Sequence, residues 1–92
     1  MEQPKFSLGR IVGTPGALAA LQQATASPSE FLWRHEHGDW GDLDEEDKQE
    51  NERSLIHGSR IFSAYALTTG VRIWAITEAD RSVTTILLPS EY

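Results

Sequence analysis

The stretch RIFSAYALTTGVRIWAITEADRSVTTILLP, residues 60–89, decides the fold. Its three apolar runs, IFSAYAL, VRIWAIT and SVTTILL, are rich in β-branched and aromatic residues, and short turn sequences separate them. Thr68-Thr69-Gly70 suits a three-residue hairpin loop with the glycine in a left-handed conformation. Ala79-Asp80-Arg81 supplies the second turn. This register sets Arg60 opposite Glu78, Phe62 opposite Ile76, and Ala64 opposite Trp74. Alternation then places Ile61, Tyr65 and Ile73 on one face, and Phe62, Trp74 and Ile76 on the other. Trp74, mid-strand, is expected in the core.

Upstream the signals become helical. Thr14-Pro15 and Ser27-Pro28 each pair an N-cap residue with proline at the first helical position. Ala17, Leu18 and Leu21 would line the first helix, and Phe31, Leu32 and Trp33 the second, which runs toward Gly38. Whether these are two helices or one kinked continuation is open from the sequence. Asp42, with Glu45 three positions on, reads as the start of a third helix, and Gly58 as its C-terminal cap. Leu43, Leu55 and Ile56 are its apolar residues, so it is expected to pack by its ends and leave its middle in water. FSLGRIVG, from Phe6 to Gly13, reads as a first strand. The order β-α-α-α-β-β-β defines an α+β domain spanning residues 1–92. Its mainly antiparallel sheet has three or four strands, with helices packed on one face.

Charge is unevenly distributed. Nine of fourteen acidic residues fall between Glu36 and Glu52, where Lys48 is the lone base, and the net charge is −6. Direct nucleic-acid binding over a broad basic surface is not expected, although a small site reading one phosphate stays open. The chain has no cysteine, which excludes disulfides and thiolate chemistry. No leader or membrane-length apolar run is evident, so a cytoplasmic location without membrane contact is expected.

HGDWGDLDEED, followed by GSRIFSAYALTTGVRIWAITEADRSVTTILLPSEY and preceded by the opening FSLGRIVGTPGAL, resembles a family of small proteins from plasmids and other mobile elements of proteobacteria. Members are often labelled "plasmid-related protein" or as a subunit of type I restriction enzymes. A restriction modification subunit is several times longer and carries methyltransferase motifs that are missing here. What the resemblance implies is a mobile-element setting rather than a reaction. In architecture, a helical half bearing histidine followed by a twisted sheet with Arg, Glu and Thr looks like the barnase, EndoU, colicin and RelE group of ribonucleases.

Three chemistries compete for RHEHGDWGDLDEED, residues 34–47. As metal ligands, His35 and His37 diverge by about 200° on a helix, and no further histidine follows at Trp40, so neither metal nor cofactor is expected. As a metal-independent ribonuclease, the chain would use His35 or His37 with Glu78 as acid and base, and Arg60 and Arg81 as phosphate forks. As an interaction protein, it would present Asp39, Trp40, Asp42, Asp44, Glu45, Glu46 and Asp47 to a protein partner, with carboxylates imitating nucleic-acid phosphates. The third reading leads: a non-enzymatic accessory protein of a mobile element with an anti-defence role, against restriction or CRISPR systems. The apolar residues on both sheet faces also raise a homodimer that buries the second face.

Overall fold

A computed structural model describes residues 3–92. The elements run β1 (Arg10–Gly13), α1 (Pro15–Gln23), α2 (Pro28–Glu36), α3 (Glu45–His57), β2 (Ile61–Ala66), β3 (Arg72–Thr77) and β4 (Val83–Leu87), and a closing 3₁₀ turn spans Pro89–Glu91. The sheet order is β1-β4-β3-β2, with β1 parallel to β4 and the other pairs antiparallel. It is an α+β fold in which α1 packs on β4, α2 on β3 and α3 on β2. Among the described residues no helix is long and apolar enough to cross a membrane.

The hairpin register holds: Phe62 faces Ile76 and Ala64 faces Trp74, and Gly70 closes the loop at a φ of +91°. Tyr65 and Ile73 join Leu21, Phe31 and Ile86 in the core beneath α1 and α2, and Ile61 is buried on the same sheet face. Trp74 is not in that core. It is half-buried on the opposite face with Phe62, because residues two apart in a strand share a face and both stand out of phase with Tyr65.

Capping explains the first two helices. The Thr14 hydroxyl accepts the Ala17 N–H, and the Ser27 hydroxyl accepts that of Ser29. They are separate helices, parted by a turn in which Thr25 adopts a left-handed φ of 52°. The first strand is shorter than expected. Only Arg10–Gly13 pair with β4, while residues 5–9 run over the end of α2, where the Lys5 N–H donates to the Glu36 carbonyl at 2.7 Å.

The third helix differs from expectation in both its start and its docking. Its N-cap is Asp44, whose carboxylate accepts the Asp47 N–H at 2.8 Å. Asp42 lies before the helix, where its N–H donates to the Ala64 carbonyl at 2.7 Å and holds it against β2. Nor does the helix pack by its ends. Ile56 is 81% exposed, whereas Asn51, near the middle, and Ser54, in the last turn, are buried.

Asn51 explains the inversion. Its Nδ2 donates to the Phe62 carbonyl at 2.6 Å, and its Oδ1 accepts the Phe62 N–H at 3.1 Å. One side-chain amide thus satisfies both outward backbone groups of Phe62, as a neighbouring strand would. Two residues further along β2, the Trp40 carbonyl accepts the Ala64 N–H at 3.2 Å and the Asp42 N–H closes the pair. Gly41 allows that approach: its φ is +74°, and a Cβ there would lie 1.9 Å from the Ala64 oxygen. Polar groups therefore seal this edge of the sheet.

Replacing Asn51 with alanine leaves a buried N–H and C=O without partners, and should cost about 2–4 kcal/mol of unfolding free energy. The Ile56→Ala change, at an exposed site on the same helix, should cost less than about 0.5 kcal/mol. Urea denaturation of the two variants checks the contrast.

Candidate functional site

His35 lies in the last turn of α2 and is fully buried. Its Nδ1 is 2.6 Å from the Ser63 hydroxyl and its Nε2 is 2.9 Å from that of Thr77. Thr77 continues to Thr84 at 2.7 Å, and the Thr84 hydroxyl reaches the Leu8 carbonyl at 2.7 Å. The direction of every bond follows from the last one. A carbonyl only accepts, so Thr84 donates to Leu8, and Thr77 must therefore donate to Thr84. Thr77 then accepts from the His35 Nε2–H, which leaves Nδ1 bare to accept from Ser63. The ring is the neutral Nε2–H tautomer, linking α2 to β2, β3, β4 and the segment before β1. Phe6 covers it edge-on at 5.2 Å and Trp40 at 6.1 Å. Burial lowers its pKa to about 4.

His37, two residues on, turns outward. Its ring stacks on Trp33 at 4.1 Å, and its Nδ1 bonds the Trp33 carbonyl at 2.7 Å. Arg81 has a structural task. In a left-handed conformation with φ of 61°, it donates to the carbonyls of Ser59 at 2.6 Å, Ser54 at 3.0 Å, and Glu78 and Ala79 at 3.2 Å. Its guanidinium also lies over Phe6, at 5.7 Å. It joins the end of α3, the approach to β2 and the β3–β4 turn. Arg60 and Glu78 do meet, at 3.4 Å, on the sheet face away from α1 and α2. The tertiary structure therefore pairs the side chains of Arg60 and Glu78, commits Arg81 to backbone carbonyls, that of Glu78 among them, and gives His35 and His37 other partners.

Of the residues read as partner-binding, three have internal partners. Asp39 holds Arg34 at 2.7 Å, a hydrogen bond that lowers the Asp39 pKa, and it also accepts the Gly41 N–H. Trp40 is 5% exposed, and its indole N–H donates to Glu52 at 2.8 Å. Asp44 caps α3. The side chains of Asp42, Glu45, Glu46 and Asp47 are exposed and make no hydrogen bond or ion pair among the described residues. No group of three His, Asp or Glu among the described residues is arranged to hold a metal ion.

A groove on the helix-free face was not anticipated. It has a volume of about 330 Å³ and is lined by Arg60, Phe62, Trp74, Ile76 and Tyr92. Trp74 meets Phe62 edge-to-face at 5.0 Å and Tyr92 at 5.7 Å, and Arg60 bonds the Tyr92 hydroxyl at 3.2 Å. The alternation in residues 60–76 had placed Phe62, Trp74 and Ile76 together. The fold-back of Tyr92 through the 3₁₀ turn left no local signal. Comparison of the chain with protein-family models, curated proteins and solved structures finds no match.

The buried imidazole makes stability depend on pH. With a folded pKa near 4 and an unfolded value near 6.5, the unfolded chain binds the extra proton between these limits. The His35 contribution is complete above pH 6.5 and is lost as pH falls toward 4. Between pH 7.5 and 5, before most carboxylates titrate, unfolding free energy should fall by about 2 kcal/mol. Urea titrations at several pH values should show this slope in the native chain and its absence in His35→Gln.

Proposed function

We propose that this protein is a non-enzymatic interaction module that binds a basic protein partner through the start of α3. One observation carries the reading. Nearly every polar group in the interior and along the β2 edge has an internal partner, whereas four carboxylates in the six positions from Asp42 to Asp47 have none among the described residues. α3 is held by Asn51 and Ser54 on its inner side and Asp42 is held against β2, so Glu45, Glu46 and Asp47 project from a fixed helix and Asp42 from the anchored segment before it. Their spacing suits an Arg/Lys-lined groove that otherwise takes a phosphate backbone, and the concentrated charge would steer association at low salt. The resemblance to mobile-element proteins suggests an anti-defence setting, in which the groove belongs to a host nuclease or nucleic-acid-binding protein. Ribonuclease-type acid–base chemistry with His35 or His37 has no comparable support, since His35 is enclosed and neutral and His37 is stacked on and bonded to Trp33.

The test is neutralisation without reshaping. Asp42→Asn, Glu45→Gln, Glu46→Gln and Asp47→Asn combined, with the Asp44 cap kept, should preserve the circular dichroism spectrum. Partner recovery in affinity capture from a host lysate should drop at least tenfold, corresponding to about 1.4 kcal/mol. The native complex should also dissociate steeply as salt rises, since the charges are solvent-exposed. Undiminished capture by the neutral variant would refute the proposal.

A further inference from the structure

We infer that the helix-free face of the sheet is a second, separate binding surface, built for a short single-stranded segment of nucleic acid. The argument starts from charge. Although the chain carries a net −6, strand alternation directs three arginines to this face. Arg60 lines the groove, Arg72 precedes Trp74 by two residues in β3, and Arg10 shares its side of β1 with Val12, the neighbour of Thr85. The acidic residues at this face are Glu78, paired with Arg60, and Glu91, whose carboxylate is held by Thr14 and Gly16. Neither Arg10 nor Arg72 has an ion-pair partner among the described residues, and the Arg72 guanidinium makes only a long 3.4 Å bond to the Asp42 carbonyl. At physiological salt the field close to this face is set by charges within about 8 Å, and of the acidic cluster before and in α3 it is Asp42 that Arg72 reaches, through its carbonyl.

The groove supplies the other half of the recognition. Phe62, Trp74 and Tyr92 meet nearly edge-to-face, at 85° and 70°, so their ring faces are turned toward different walls. A volume near 330 Å³ accepts one planar heterocycle and is too small for a partner helix. A base stacked there would place its phosphate near Arg60. The register sets Arg72 beyond the Leu87 end of β4 and Arg10 level with Val83 at the other end, on opposite sides of the groove. These corners are about 20 Å apart at the usual rise and strand spacing, a track of a few nucleotides.

A second copy of the chain fits this face less well. Two-fold pairing would bring three arginines of one copy against three of the other, with Glu78 and the already bonded Glu91 of each copy to offset them. An acidic peptide would satisfy the arginines, but it offers no planar group for the groove unless an aromatic residue falls in register.

The proposal does not depend on the α3 reading, and its test separates the two. Native protein is titrated into a fluorescein-labelled oligothymidylate of about eight nucleotides, and anisotropy and Trp fluorescence are followed. The expected result is saturable binding, with a log–log salt slope of about −2 for two to three neutralised phosphates, and weaker binding to the matching duplex. The surface variant Arg10→Ala/Arg72→Ala should flatten the slope. Trp74→Ala should weaken binding at least about tenfold, and Trp74→Phe should retain most of it, which distinguishes stacking from a folding defect. Neutralising the α3 carboxylates should leave binding intact or strengthen it. The inference is overturned if the oligothymidylate fails to bind at low salt, or binds with the arginine and tryptophan variants unaffected. It is equally overturned if thymidine monophosphate or an acidic tyrosine-containing peptide binds as tightly, or if light scattering shows a dimer that Trp74→Ala dissociates.

Discussion

A histidine sealed from water must have both ring nitrogens paired, and in this protein that requirement joins most of the fold. The Ser63–His35–Thr77–Thr84–Leu8 chain draws one polar group from α2, one from each of β2, β3 and β4, and a backbone carbonyl from the segment leading into β1. Each hydroxyl in the middle of the chain donates once and accepts once, so no member can turn without stranding its neighbour. No buried side-chain nitrogen or oxygen among the described residues lacks a partner. The same constraint removes the imidazole from acid–base chemistry.

Polar satisfaction also governs how the sheet is edged. Asn51 and the Trp40–Asp42 segment pair the outward backbone of β2, and Arg81 gathers carbonyls from α3 and the β3–β4 turn. The C-terminal end is tied down in a similar way. The Glu91 carboxylate bonds the Thr14 hydroxyl and the Gly16 N–H at the start of α1, and the Thr14 hydrogen bond lowers its pKa. These contacts bring the 3₁₀ turn back over the sheet and leave Tyr92 beside Trp74. The helix that seals the β2 edge is also the one that carries the unpaired carboxylates, so the sealed edge and the acidic surface have one origin.

Two kinds of sequence signal proved readable, and both are local. Alternation in residues 60–77 identified the faces and register of the hairpin, because side-chain direction in a strand depends on parity alone. Thr14-Pro15, Ser27-Pro28 and Gly58 marked helix limits, because capping hydroxyls, a fixed proline φ and a left-handed glycine act within a few residues. Where the start of α3 was misplaced, a contact distant in sequence had intervened: Ala64 takes the Asp42 N–H. The docking of α3 was misjudged for a related reason. Apolar content is a poor guide to a helix attached through polar contacts of Asn51, Glu52 and Ser54.

The sequence by itself determined the α+β class, the order of elements, the hairpin register and the concentration of acid between Glu36 and Glu52. These depend on periodicity, short-range capping and composition, which are properties of neighbouring residues. Only the tertiary structure decided that His35 is buried and neutral while His37 is outside, that Arg81 binds carbonyls, and that Tyr92 completes an aromatic groove with residues 18 and 30 positions before it. Those assignments rest on contacts between residues far apart in the chain. A histidine or arginine has the same identity whether its hydrogen bonds go to the interior or to a ligand, and only the packed chain distinguishes the two.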